Sequence, residues 1–166
     1  MYFAVLELSN GNVRVHWTNN HYNDYNKDAD GQYVSPQSDC VFDTLLKNAD
    51  GSFTLTRNHQ VIYQFNSLGL LVKVGNRRGQ FLELSYQGDG QLSSTVGSLT
   101  QVTEPISGIF LKYHYNDDGF LSHVTGPLGR QARLSYDSSG NLVQMTDGAG
   151  QTISYTYNDN GQLLTK

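Results

Sequence analysis

Tyr136-Asp137-Ser138-Ser139-Gly140-Asn141-Leu142 leads into Val143-Gln144-Met145-Thr146, then Asp147-Gly148-Ala149-Gly150, then a run that ends at Tyr157. There the pattern restarts as Tyr157-Asn158-Asp159-Asn160-Gly161-Gln162-Leu163. An aromatic residue followed four positions later by Gly and six later by Leu occurs five times: Phe65/Gly69/Leu71, Tyr86/Gly90/Leu92, Tyr115/Gly119/Leu121, Tyr136/Gly140/Leu142 and Tyr157/Gly161/Leu163. The aromatics are 21, 29, 21 and 21 residues apart. A fixed period in this range is the signature of a repeat architecture.

A second glycine runs in step with the first: Gly79, Gly108, Gly129 and Gly150 each lie 11 residues before the next repeat's Gly. The long interval is therefore a normal repeat with eight residues inserted between Gly90 and Gly108. Each repeat has two turns and two short strands. Asn116-Asp117-Asp118-Gly119, Asp137-Ser138-Ser139-Gly140 and Asn158-Asp159-Asn160-Gly161 place Asx first and Gly fourth, which suits a type I turn with a left-handed exit. Gly126-Pro127-Leu128-Gly129 adds Pro at the second position. Such turns make hairpins, so neighbouring strands should run antiparallel.

The strand before each aromatic alternates: Leu82/Leu84/Tyr86, Leu111/Tyr113/Tyr115, Ala132/Leu134/Tyr136 and Ile153/Tyr155/Tyr157. Period two puts each set on one face of a sheet, and stacked repeats are expected to align the aromatics into cross-strand pairs. Leu142 and Met145 are three apart and need a bulge to share that face. The fold class that follows is all-β, an elongated, twisted antiparallel sheet of stacked hairpins.

With 166 residues, 17 Gly, 11 Tyr and only 3 Pro, the composition suits hairpin-rich structure. Charged residues make up 16 % and the net charge is −4, which argues against a nucleic-acid surface. Arg77-Arg78 read as solvated turn charges. Cys40 is the one cysteine, so no intrachain disulfide forms. No stretch approaches the ~20 apolar residues of a membrane span. The N-terminus lacks the basic start of a signal peptide.

In chain order, residues 1–17 read as an N-terminal hairpin, Phe3–Leu8 and Val13–Trp17 around an Asn10-Gly11 turn. Residues 18–49, rich in Asn and Asp, read as a polar loop and lead-in segment. Residues 50–166 carry the repeats, with strands flanking a turn at Arg57–Gln60 before the first. The sequence stops at Lys166 partway through a repeat, so the chain is expected to be a piece of a longer protein.

The five copies resemble the YD repeats of the rearrangement-hotspot (RHS) family. The resemblance is strong from Asp50 to Lys166 and extends weakly upstream, where Asp30–Val34 and Ala49–Thr56 are similar to the segment that leads into the repeats of bacterial members. Phe65 and Tyr86 are degenerate starts; Tyr136-Asp137 is the one literal Tyr-Asp pair. The repeat-defining residues are Phe65, Gly69, Tyr86, Gly90, Tyr115, Gly119, Tyr136, Asp137, Gly140, Tyr157 and Gly161. The resemblance implies a β-ribbon spiralling into a hollow shell. In bacterial polymorphic toxins and insecticidal toxin complexes such a shell encloses a C-terminal toxic domain, and related repeats form barrels in teneurin adhesion proteins. It also implies a secreted or cell-surface location. The self-cleaving segment that follows the repeats in toxins has no counterpart here, so neither protease nor toxin activity carries over.

Chemistry-bearing motifs are sparse. Asn26, Asp28, Asp30 and Gly31 resemble the first half of a calcium loop, but Gln37 stands where a bidentate Glu belongs. Calcium is thus the one candidate cofactor, against a solvated polar loop. His16, His21, His59, His114 and His123 lack metal-ligand spacing, although His114 and His123 fall on adjacent expected strands. No nucleophile elbow, phosphate loop or dinucleotide fingerprint appears. The carboxylates of the repeats sit in turns, where turn geometry accounts for them. The tyrosines suit sheet packing, or stacking on sugars. The sequence therefore leads to a non-catalytic structural segment of a shell that encloses a toxin or effector. Its partners would be further repeats or the enclosed domain. The alternative is a repeat module that binds glycans or a cell-surface protein.

Overall fold

The computed structural model describes residues 4–18, 20–37, 42–58, 60–88 and 98–166. Fifteen strands form one continuous antiparallel sheet in sequence order. They are β1 (Ala4–Glu7), β2 (Val13–Thr18), β3 (His21–Lys27), β4 (Tyr33–Val34), β5 (Thr44–Lys47), β6 (Phe53–Arg57), β7 (Val61–Phe65), β8 (Leu71–Asn76), β9 (Phe81–Tyr86), β10 (Leu99–Glu104), β11 (Ile109–Tyr115), β12 (Leu121–Thr125), β13 (Gln131–Tyr136), β14 (Leu142–Thr146) and β15 (Thr152–Ser154). A last hairpin, β16 (Thr156–Tyr157) and β17 (Leu163–Thr165), forms its own two-stranded sheet. The chain is a ribbon of hairpins, as the repeats require.

The ribbon changes character along its length. From β1 to β8 it curls, without closing into a barrel, until the first strand meets the turn after the seventh. The Val5 N–H donates to the Gly69 carbonyl at 2.8 Å, and Ala4 bridges Leu70. Inside the curl lie Val5, Val13, Val15, Trp17, Tyr25, Tyr33, Leu45, Phe53, Leu55, Phe65 and Leu71, all buried. Gly69 is needed twice over: its φ is +81°, and a Cβ there would stand 2.0 Å from the Val5 carbonyl oxygen. From β9 onward no described side chain is buried, and the face that was interior becomes an open, half-covered surface.

One buried polar cluster pins the curl. Asp43, whose side chain is 0 % exposed, pairs with Arg57 Nε at 3.1 Å. It also accepts from the Tyr25 hydroxyl at 2.8 Å. The Arg57 guanidinium lies over the Trp17 ring, 4.7 Å from its centroid.

Several sequence expectations change. Residues 18–49 are not simply a polar loop, since β3, β4 and β5 fall within them. Alternation survives there under polar letters: Asn23 and Tyr25 both point inward. Asn23 is 1 % exposed, and its side chain accepts from the Trp17 indole N–H and donates to Gln37 at 3.0 Å. Asp24 forms a two-pronged pair with Arg14 at 2.6 and 2.9 Å, which holds its carboxyl below the usual range. The first hairpin turns on Leu8-Ser9-Asn10-Gly11, with Gly11 N–H bonded to Leu8 at 2.9 Å. Only Gly11 of the Asn-Gly pair is left-handed, so the turn is not of the two-residue type. Cys40, His59, Gly90 and Leu92 lie outside the described residues.

Candidate functional site

The repeats are built around the aromatic residue and the bulge beside it. Tyr115 pairs with Leu121 while His114 pairs with His123, so Ser122 is an extra residue. Tyr136 pairs with Leu142 and Ser135 with Gln144, so Val143 bulges. The same slip follows Phe65, Tyr86 and Tyr157. This puts Leu142 and Met145 on one face, opposite Tyr136 and Leu134.

The bulge leaves a carbonyl for the next repeat. The Tyr86 hydroxyl donates to Leu71 O at 2.7 Å, Tyr115 to Leu99 O at 2.9 Å, Tyr136 to Leu121 O at 3.0 Å and Tyr157 to Leu142 O at 2.8 Å. Each tyrosine thus rests on its own repeat's aliphatic partner and bonds back to the corresponding residue of the repeat before. The repeat tyrosines therefore pair with leucines across the strands, not with one another, and each hydroxyl reaches the bulge of the preceding repeat. Burial pushes the Tyr86 hydroxyl up to about 12. Burial also raises Tyr115, with a smaller push from Tyr113, and raises Tyr136. Phe65 has no hydroxyl and is held instead by burial in the core.

Leu99 occupies the place that the motif assigns to Leu92. Seven of the eight inserted residues precede Leu99, and the eighth lengthens the next turn, where Gly108 N–H reaches Glu104 O at 2.9 Å. Gly69, Gly119, Gly140 and Gly161 all take left-handed φ between 73° and 82° at their turns. Asp137 caps its turn, accepting from Ser139 and Asn141 amides at 2.9 Å, and its hydrogen bonds, led by the Asn141 side chain, lower its pKa.

Asp28 has that same geometry. Its Oδ1 accepts from the Asp30 and Gln32 amides at 3.0 and 2.8 Å. Asn26 Oδ1 accepts from Asn12 Nδ2 at 2.8 Å, and Gln37 turns toward β3 to take the Asp24 amide at 3.1 Å. Asp28 and Asp30 thus belong to a turn of the repeat type, while Asn26 lies on β3, with Asn26 and Asp28 bonded within the protein. Among the described residues, no three of His, Cys, Asp and Glu converge as metal ligands. His114 and His123 do come together, with rings stacked at 4.1 Å.

A family model described as RHS Repeat matches residues 115–152 and again 136–166. Residues 115–166 are RHS repeats. The two matches are offset by 21 residues, the step read from the tyrosines, and they support an RHS/YD-repeat assignment through residues 115–166. No curated protein matches the chain. RHS repeats are structural, generally non-catalytic units that associate with further repeats. RHS-repeat proteins are typically extracellular or at the cell surface. No helix of the described residues is long and apolar enough to cross a membrane.

The open ribbon presents two unlike faces. One carries the rows Leu84–Val102–Leu111, Tyr113–Val124–Ala132 and Leu134–Met145–Ile153. The other carries polar rows such as Ser85–Gln101–Lys112. The apolar face is continuous with the interior of the curled half. Sequence reading located the tyrosines but not their acceptors, because a bulge is a pairing property and leaves no letter of its own.

Proposed function

We propose that this RHS segment is a stretch of shell wall that encloses a toxin or effector domain and helps deliver it. The observation that carries this reading is the tyrosine hydroxyl bond from each repeat to the one before. It fixes every repeat to its predecessor and lets the sheet extend by identical steps, while the apolar face stays on one side. A wall needs both properties. The ribbon already curls in its first half, with its apolar face inward.

The test is limited proteolysis of the full-length protein that contains this chain. The enclosed segment should resist protease until the repeats are opened by denaturant. Digestion at the rate of the free segment would remove the encapsulation reading.

A second reading is a module that binds glycans or a cell-surface protein. It draws on two exposed apolar turn tips, Ile106 (77 % exposed) and Leu128 (96 % exposed), each following a proline. Saturable binding of the isolated chain on a glycan array or to a cell-surface fraction would support this reading.

A further inference from the structure

β11, β12 and β13 place His114, His123 and Arg133 in one cross-strand row on the polar face. The two imidazoles stack with centroids 4.1 Å apart and planes 5° from parallel. Neutral rings tolerate that arrangement, whereas two imidazolium rings at this separation repel.

The surroundings offer no counter-charge. Lys112 precedes His114 by two residues on the same strand, and Arg133 stands opposite His123, its Nη2 donating to Gln131 Oε1 at 2.9 Å. The remaining neighbours are neutral: Ser122 and Thr125 on β12, Gln131 and Ser135 on β13, Gln101 opposite Lys112 on β10, and Thr146 opposite Arg133 on β14. Ser122 Oγ lies 3.1 Å from His123 Nδ1, and Thr125 Oγ1 lies 3.5 Å from His114 Nε2. Strands β11 to β15 contain no Asp or Glu. Glu104, at the end of β10, has its carboxylate bonded to the Ile106 and Ser107 amides. Asp137 and Asp147 cap their own turns. Asp117 and Asp118 are exposed at the tip of the β11–β12 hairpin.

We propose that the β11–β12–β13 row is an acid-sensitive seam in the ribbon, at which proton uptake by the stacked histidines drives the strands apart. This inference does not depend on the shell reading. Burial, then His114, then Arg133 hold His123 below its ordinary value of 6.5. The opened seam therefore binds more protons than the closed one. The seam is intact above about pH 6.5 and loosens as the pH falls below it.

The experiment is amide hydrogen exchange of the whole chain at about pH 7.5 and about pH 5, corrected for the intrinsic pH dependence of exchange. Amides of β11–β13 should open about tenfold more at the lower pH for each unit by which the folded value is depressed. β2 and β6 should not change. The double variant His114→Gln/His123→Gln should lose the response. An unchanged response in that variant, or one spread evenly over the sheet, overturns the proposal. So does an NMR titration of the unaltered chain in which the His123 ring titrates at or above the ordinary imidazole value. That titration decides alone if the variant does not fold.

Discussion

Asp43 is the residue whose loss the curled half should feel most. Its carboxylate is wholly out of solvent and balances Arg57, so Asp43→Ala leaves a guanidinium without its partner charge. We expect a loss of about 3–5 kcal/mol, read from the urea midpoint of unfolding; a loss below about 1 kcal/mol would show the cluster to be dispensable. Tyr136 has a smaller and separable role. Tyr136→Phe keeps the ring on Leu142 and removes only the bond to Leu121 O, which should cost about 1 kcal/mol, while Tyr113→Phe, outside the hydroxyl series, should cost nearly nothing. Tyr86 adds a pH dependence. Its folded value of about 12 lies above the ordinary 10.0, so the folded state holds its proton more tightly than the unfolded state does. The stabilisation is complete below pH 10.0 and is lost as pH rises through about 12, which tyrosinate absorbance followed beside circular dichroism would detect.

At the scale of elements, the Gly turns look alike in the sequence and differ in the structure. Gly119→Ala meets nothing within 4 Å and should cost only the left-handed φ, about 1 kcal/mol. Gly69→Ala also drives a methyl into the Val5 carbonyl, so β1 must leave the turn. Exchange protection at the Val5 amide should vanish in Gly69→Ala and persist in Gly119→Ala. The strands of the repeats were legible because alternation and turn chemistry are local, and Tyr136 to Leu142 carries both. β3 was not legible, since Asn23 and Asp24 read as loop letters. Their partners, Trp17, Gln37 and Arg14, lie up to 14 residues away. The docking of Val5 on Gly69 was likewise invisible, because backbone atoms make that contact and no side-chain letter marks it. Of the candidate site, the tyrosine positions were legible and the carbonyls they reach were not. The pairing of His114 with His123 needed only the register of one hairpin.

For the whole molecule, the division between a curled, cored half and an open ribbon predicts uneven stability. Among the described residues, every buried apolar side chain lies between Ala4 and Leu71. Neighbour-only contacts make the rest a one-dimensional array whose end frays first. Hydrogen exchange in dilute urea should release β14 to β17 before β9 to β11, and β2, β6 and β7 last; simultaneous release of all strands would mean a single cooperative unit. The tyrosine bonds have a direction that this gradient does not. The hydroxyls of Tyr86, Tyr115, Tyr136 and Tyr157 all reach toward the N-terminus. During synthesis the acceptor carbonyl of each repeat is therefore in place before the tyrosine that needs it has left the ribosome. The ribbon can be laid down like a zip closed from one end, with each new repeat finding a finished template and never waiting on residues still to be made.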